Sequence, residues 1–437
     1  MKTKLTILLL LLASMIYNEV IAQDDTGAYK KRVLESAEID FLSSFYIQNG
    51  DNAAVSGGNG TEKLMDATAS IVIAIPLNDD DVLTIDAGIS AYSSASSSNI
   101  NPFDGSEPAD PFVASSGASE SDLWFNVTGG YSHSSDDRNE IWSTKLSISS
   151  EFDYFSAGVG GNYARLFNDK NTELSFNGNI YIDSWSLISP IELRSFGGGD
   201  SDNFNINQYT ITGNPDYNPS YTPFEKSGRY SYSLGIGLSQ ILSKRMQGSV
   251  ALDFVQQQGL LSTPFQRVYF SDIEDSFIEN FHLADNVEQL PGTRFKVASG
   301  GRLNFYINEI FVLRTYYRYY FDDWGIVSHT ASVELPVKIS LKYTFYPSFR
   351  FYNQTAADYF APYEQHLSSS EFYTSDYDLS GYKANQYGLG LNYTDIFMEK
   401  HIWKFGLKSV DVKLNAYMRD SGFKAFMLSA GCKFVWY

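Results

Sequence analysis

Residues 83–91 read Leu83-Thr84-Ile85-Asp86-Ala87-Gly88-Ile89-Ser90-Ala91. The odd positions are apolar and the even ones polar or small, the period of a β-strand with two unlike faces. The pattern recurs. Tyr232, Leu234, Ile236 and Leu238 alternate with Ser and Gly, and Leu174, Phe176, Ile180 and Ile182 alternate with Ser, Asn and Asp. Leu335, Val337 and Ile339, and Val410, Val412, Leu414 and Ala416, repeat it, and no convincing helical period interrupts. A soluble sandwich or propeller also alternates. Here, however, the polar face is Ser, Asn, Gly and Tyr more than Lys and Glu, and the runs are often ten residues or longer. A membrane-spanning strand needs roughly nine to eleven.

Connection lengths sharpen the reading. Tight polar turns fall at Asn78–Asp81, Asn168–Asn171, Ser243–Arg245 and Asn308–Glu309. Long insertions fall between them, at Ala95–Glu120, Ser186–Gly228, Pro264–Pro291 and Thr355–Gly381. Short turns at one end and long loops at the other are the asymmetry of outer-membrane barrels. The expected fold is all-β, a transmembrane antiparallel barrel of about sixteen strands, with fourteen and eighteen as the neighbouring even counts.

The ends fit export. Met1–Lys4 is basic, Leu5–Ile16 apolar, and Val20-Ile21-Ala22 places small residues at a signal-peptidase site, so residues 1–22 read as a signal peptide and 23–437 as the barrel. The chain closes on Gly431-Cys432-Lys433-Phe434-Val435-Trp436-Tyr437. Phe434, Trp436 and Tyr437 resemble the aromatic signal read by the outer-membrane assembly machinery, with Tyr437 one residue out of step with the apolar face. The expected location is the outer membrane of a Gram-negative bacterium, with outer-membrane lipid as surroundings.

Composition agrees. Aromatics are 16% and charged residues 19%, and Cys432 is the only cysteine, so no internal disulfide staples the fold. Asp and Glu total 51 against 32 Lys and Arg, a net charge of −19 that argues against nucleic acid as a partner.

Applying the period of two to charge divides the lumen. Arg294, Lys296, Arg302, Arg314, Arg318, Lys342 and Arg350 fall on the inward face of later strands, and Asp40, Asp66, Asp86, Asp122, Glu151 and Asp183 on that of earlier ones. Charges on the lipid side would cost about 2–4 kcal/mol each near the midplane. A transverse field across a constriction and a salt-bridged, plugged lumen both fit.

Ala54-Val55-Ser56-Gly57-Gly58-Asn59-Gly60-Thr61-Glu62 and Tyr92-Ser93-Ser94-Ala95-Ser96-Ser97-Ser98-Asn99-Ile100, with Asp86, resemble a family of exported bacterial proteins labelled only as a domain of unknown function. The resemblance implies an outer-membrane barrel and a periplasmic redox partner, since members associate with flavin-transferase and thioredoxin-like proteins. Physically, Ser56, Gly57, Gly58, Gly60 and Thr61 suit a tight loop, and GGNG lacks the lysine and following helix of a phosphate loop.

Chemistry is sparse. His133, His282, His329, His366 and His401 lack metal-ligand spacing, and Asp323 with His329 is the nearest thing to a catalytic pair. Asp200-Ser201-Asp202 and Asp272–Asp275 lack the spacing of a calcium loop. No catalytic residue, metal site or cofactor is assigned. The expected function is passive passage of a small polar or charged solute through the lumen. The alternatives are a non-conducting scaffold for a redox partner and, last, a barrel-type enzyme.

Overall fold

The computed structural model describes residues 32–93, 121–197 and 205–436. The expected signal peptide at residues 1–22, residues 94–120, the Asp200–Asp202 cluster and Tyr437 lie outside the described residues.

Sixteen long strands form one closed antiparallel sheet. In chain order they are β1 Glu38–Asn49, β2 Leu64–Pro76, β3 Asp81–Ser93, β4 Ser121–Ser134, β5 Glu140–Ser150, β6 Tyr154–Phe167, β7 Thr172–Trp185 and β8 Gly228–Ser243. The second half comprises β9 Met246–Gly259, β10 Thr293–Tyr306, β11 Val312–Asp322, β12 Val327–Glu334, β13 Tyr343–Gln354, β14 Tyr382–Thr394, β15 Phe405–Arg419 and β16 Lys424–Trp436. Each pairs with its sequence neighbours, and β1 pairs with β16 from Glu38↔Val435 to Asn49↔Lys424. That last ladder closes the wall, leaving no edge with unpaired amides. Among the described residues, no helix is long and apolar enough to cross a membrane. The crossing elements are strands.

The alternation sets the two surfaces. On the outside, Leu146 is 66% exposed and Val250 58%, and Phe41, Ile89, Tyr232 and Leu389 stand exposed with them. A water-soluble barrel could not leave such a continuous apolar face uncovered. A bilayer covers it. On the inside, Ser, Gly, Asn and Tyr alternate with charges, as in Ser175, Asn177 and Asn179 of β7 facing Gly237, Gly235 and Ser233 of β8. Cys432 opposes Phe41 on the outer face, and Phe434 makes an edge contact with the Phe41 ring at 6.1 Å.

The hydrophobic core is not in the wall. It lies in three clusters of loop residues, around Phe281 and Leu283, around Tyr269 and Val287, and around Val268 and Phe270. These loops leave β7, β9 and β13, spaced around one rim, so a body joining them spans the mouth. We call it the cap.

The two faces of β9 offer a test. Leu252→Arg places a charge against lipid and should lower unfolding stability in phospholipid vesicles by about 2–4 kcal/mol. Ala251→Arg, one residue away and facing the lumen, should stay within about 0.5 kcal/mol of wild type. Equal losses in urea titrations of both would contradict the assignment of faces.

Candidate functional site

The cap is held by charges taken out of water. Arg267, 1% exposed, reaches Glu192, 0% exposed, through Nε to Oε1 at 2.7 Å and Nη2 to Oε2 at 3.2 Å. Its Nη1 donates to the Val55 carbonyl at 3.3 Å, and its guanidinium lies 5.5 Å from the Phe281 ring centre. One residue thus ties the β9–β10 loop to the β7–β8 and β1–β2 loops. Removing either partner of such a pair costs about 3–5 kcal/mol, because the other charge stays buried.

Glu288 does the same for the β13–β14 loop. It accepts from Thr374 Oγ1 at 2.5 Å and from Thr263 N at 2.7 Å. Among the described residues no ion pair engages it, and burial pushes its carboxyl up to about 8. Asp285, which accepts from Phe270 N at 2.8 Å, is pushed by burial to about 7. His282 lies between the rings of Tyr269 and Phe277 at 4.3 and 4.7 Å, with Tyr363 Oη 2.7 Å from its Nδ1. Burial lowers its pKa, and that of His366.

The GGNG loop belongs to this body. Gly57 and Gly58 have φ of 75° and 86°. A Cβ on Gly57 would come within 2.7 Å of the Tyr269 ring, and one on Gly58 within 2.6 Å of the Ser375 carbonyl. Ser56 is fully buried, Gly60 N donates to Asp51 O at 3.0 Å, and Lys63 N donates to Thr61 Oγ1 at 3.3 Å. The motif is where the β1–β2 loop is clasped by the cap, which gives its glycines a steric reason.

The lumen charges divide by partner. Arg294 pairs with Asp322, Arg314 with Glu334 at 2.9 Å, and Asp183 with Arg229 at 2.8 Å. Asp40 faces Lys433 at 3.3 Å. Asp66 accepts from Ser90 Oγ at 2.5 Å, and Asp86 stands across from Val72 and Thr128. Arg302 and Arg318 rest over Tyr316 and Tyr320 at 5.3 and 5.9 Å. Register places Arg302, Tyr316, Ser332 and Arg350 in one row across β10–β13. Lys296 shares the inner face of β10.

Two expected wall residues lie elsewhere. Lys342 sits in the β12–β13 turn against Glu399 at 3.4 Å, because β13 starts only at Tyr343. Glu151 lies in the β5–β6 connection after the strand has ended. Asp122 lies in β4, and its side chain falls outside the described residues.

Asp323 and His329 do not meet. Asp323 accepts from Phe295 N, whereas His329 is bonded to Tyr317 Oη at 2.7 Å on the outer face of the wall. A cluster that spacing concealed is Asp275, His282 and Glu364, drawn together from two loops. Asp275 approaches Nε2 at 3.6 Å and Glu364 approaches Nδ1 at 3.7 Å, and one ligand atom from each of the three residues lies within 4.8 Å of the others. At the closing strand, Trp436 packs on Phe405 at 4.9 Å.

Between cap and wall lies a cavity of about 540 Å³, reached by Tyr46, Glu62, Gln266, Asp376, Tyr417 and Arg419. Sequence reasoning missed it, because its carboxylates come from loops while Arg419 and the tyrosines come from strands.

The sequence matches the family described as "Protein of unknown function (DUF3570)" over residues 109–422, and the chain belongs to that family. Residues 54–62 and 92–100, which first carried the resemblance, precede the matched region. No curated protein matches the sequence. Among solved structures, it is similar to a bacterial polysaccharide outer membrane secretin, with 9% identity, 92% of this chain and 98% of that chain covered and a TM-score of 0.43. A Pseudomonas aeruginosa FadL homologue (9% identity, 92% and 90% covered, TM-score 0.39) is similar too. So is a BenF-like porin from Pseudomonas fluorescens Pf-5 (8%, 92% and 99%, 0.37).

The buried acids fix a pH dependence. Their folded pKa values lie above ordinary carboxylate values of about 4, so the folded cap binds protons that the unfolded cap releases. This contribution is complete in acid and is lost as pH rises through about 7 to 8. The buried histidines oppose it below about 6.5. Hydrogen-exchange protection of residues 260–292 should therefore fall from about pH 6 to pH 9. Glu288→Gln can donate to Thr374 Oγ1 and accept from Thr263 N, and it should flatten that fall. A wild-type cap that tightens over this range would contradict the assignment.

Proposed function

We propose that this protein lets a small polar or charged solute pass through the outer membrane of a Gram-negative bacterium. The barrel is the conduit and the cap narrows its loop end. The observation that carries the reading is the company kept by the arginines. Arg294 and Arg314 are each paired with a carboxylate, whereas no ion pair engages Arg302, Arg318 or Arg350 among the described residues. A cation left unpaired is costly in a dry interior. It is cheap in a watery lumen, where passing solutes can screen it. Asp66 and Asp86 lie on β2 and β3, well round the wall from this group. Charges segregated across a pore would orient a dipolar solute.

A second reading has its own observation. At the turn end, Trp403 is 94% exposed, Phe397 74% and Leu341 73%, on the neighbouring β14–β15 and β12–β13 turns. Lys342 and Glu399 link those turns. Such a patch favours a non-conducting platform for a periplasmic partner, such as a redox protein.

Planar-bilayer conductance separates the two. Wild type should show discrete steps with anion preference, and Arg302→Glu with Arg350→Glu should move the preference toward cations. Arg314→Gln, which removes a charge already neutralised, should shift it less. A silent bilayer from folded protein would overturn passage and favour the platform.

A further inference from the structure

The geometry points to the cavity between cap and wall as a binding site for a small organic ammonium, an amine on a carbon skeleton. This rests on the passage reading and deepens it by naming the class of solute.

Charge comes first. Glu62, Asp376 and Asp378 bring three carboxylates to the cavity against the single guanidinium of Arg419. Arg419 is already spent, since Nη1 donates to Asp378 at 2.7 Å and Nε to Tyr417 Oη at 3.1 Å, with the Tyr382 and Phe423 rings at 4.4 and 4.5 Å. Among the described residues no ion pair engages Glu62 or Asp376, and Arg419 acts on both only at longer range. Burial raises both, Asp376 to about 6.

Hydrogen bonding agrees. Three of the wall's donors are used internally: Tyr46 Oη to Gln48 Oε1 at 2.7 Å, Gln48 Nε2 to Glu62 O at 2.8 Å, and Gln386 Nε2 to Asn415 Oδ1 at 3.1 Å. The two carboxylates accept only from neutral donors, Glu62 Oε2 from Asn52 N at 3.1 Å and Asp376 Oδ1 from Asp378 N at 2.8 Å. Gln266 Oε1 is buried with no hydrogen-bond partner, while the Gln266 side chain bonds Asp376. A buried acceptor without a partner, beside two carboxylates that no described ion pair engages, favours a ligand that donates. An ammonium supplies several donors and a positive charge together.

The rest of the lining selects against a bare inorganic ion. Phe265, Leu64, Met427 and the tyrosine faces give the cavity apolar walls. A volume of about 540 Å³ falls among those of small-molecule sites. Aromatic faces attract alkylammonium groups through the ring quadrupole. Succession also matters: the cavity is bounded on one side by the fixed wall at Tyr46 and Tyr417, and on the other by the cap at Gln266 and Asp376.

The test is calorimetric titration of the full chain in detergent with cadaverine. Glutarate and pentanediol, of the same carbon length, and calcium chloride serve as comparisons. Cadaverine should bind saturably, and glutarate and pentanediol should not. Glu62→Gln with Asp376→Asn should weaken cadaverine by about tenfold or more, while Glu279→Gln, exposed on the cap, should leave it unchanged. Should the double variant loosen the cap, hydrogen exchange on wild type gives the second reading: cadaverine should protect residues 50–63 and 374–380 together. Preference for glutarate or calcium, or unaltered cadaverine affinity in a well-folded double variant, would overturn the inference. Calorimetry needs no current. Binding without conductance would therefore remove passage alone, and conductance without binding would remove the ammonium site alone.

Discussion

A strand in hydrocarbon has nowhere to put a spare amide, and everything else here follows from how this chain meets that constraint. The wall satisfies it by bringing β16 back onto β1 over its full length, from Glu38↔Val435 to Asn49↔Lys424. With no edge left, the outer face is free to be wholly apolar and the inner face wholly polar. The alternation at Leu83–Ala91 is therefore more than a secondary-structure signal. It partitions every side chain between two solvents, and a one-residue slip would exchange them.

The cap is built on opposite rules. It has a conventional buried core, yet its loops are joined by polar groups withdrawn from water, Arg267 with Glu192 and Glu288 with Thr374. Apolar replacements of equal volume could match the stability of such a pair. What they would lack is direction. The Arg267 fork fixes which carboxylate and which carbonyl it meets, so three loops from separate hairpins can lock in only one arrangement. A hydrophobic contact among the same loops would tolerate sliding.

This difference explains what sequence could show. Period-two runs, short turns and long insertions are local, so the strands, their faces and their number could be read from neighbours along the chain. Arg294 and Arg302 were placed on the inner face by counting alone. Lys342 and Glu151 escaped the same rule because each lies just past a strand end, where alternation stops having meaning. The cap was opaque for another reason: Arg267 and Glu192 are 75 residues apart, and nothing near either predicts the other. The GGNG loop shows the middle case. Its conformation was legible, whereas the ring that forbids a side chain at Gly57 belongs to Tyr269, in a different loop.

The two regimes meet at one place. The wall is a continuous ladder whose opening would expose backbone to lipid, so it can move only as a whole. The cap is held loop to loop, by its buried clusters and by backbone bonds such as those between Gln289 and Tyr373, and none of the wall's strand pairings runs through it. Arg419 stands on that boundary, rooted in β15 and bonded to Asp378 of the β13–β14 loop. Gln386, Tyr417 and Ala425, which line the cavity below it, lie in one register row with Arg350. The carboxylate-lined cavity and the guanidinium of Arg350, which no described ion pair engages, therefore stand on adjacent strands of the inner wall, so the boundary between cap and wall is also where the sign of the lining charge changes.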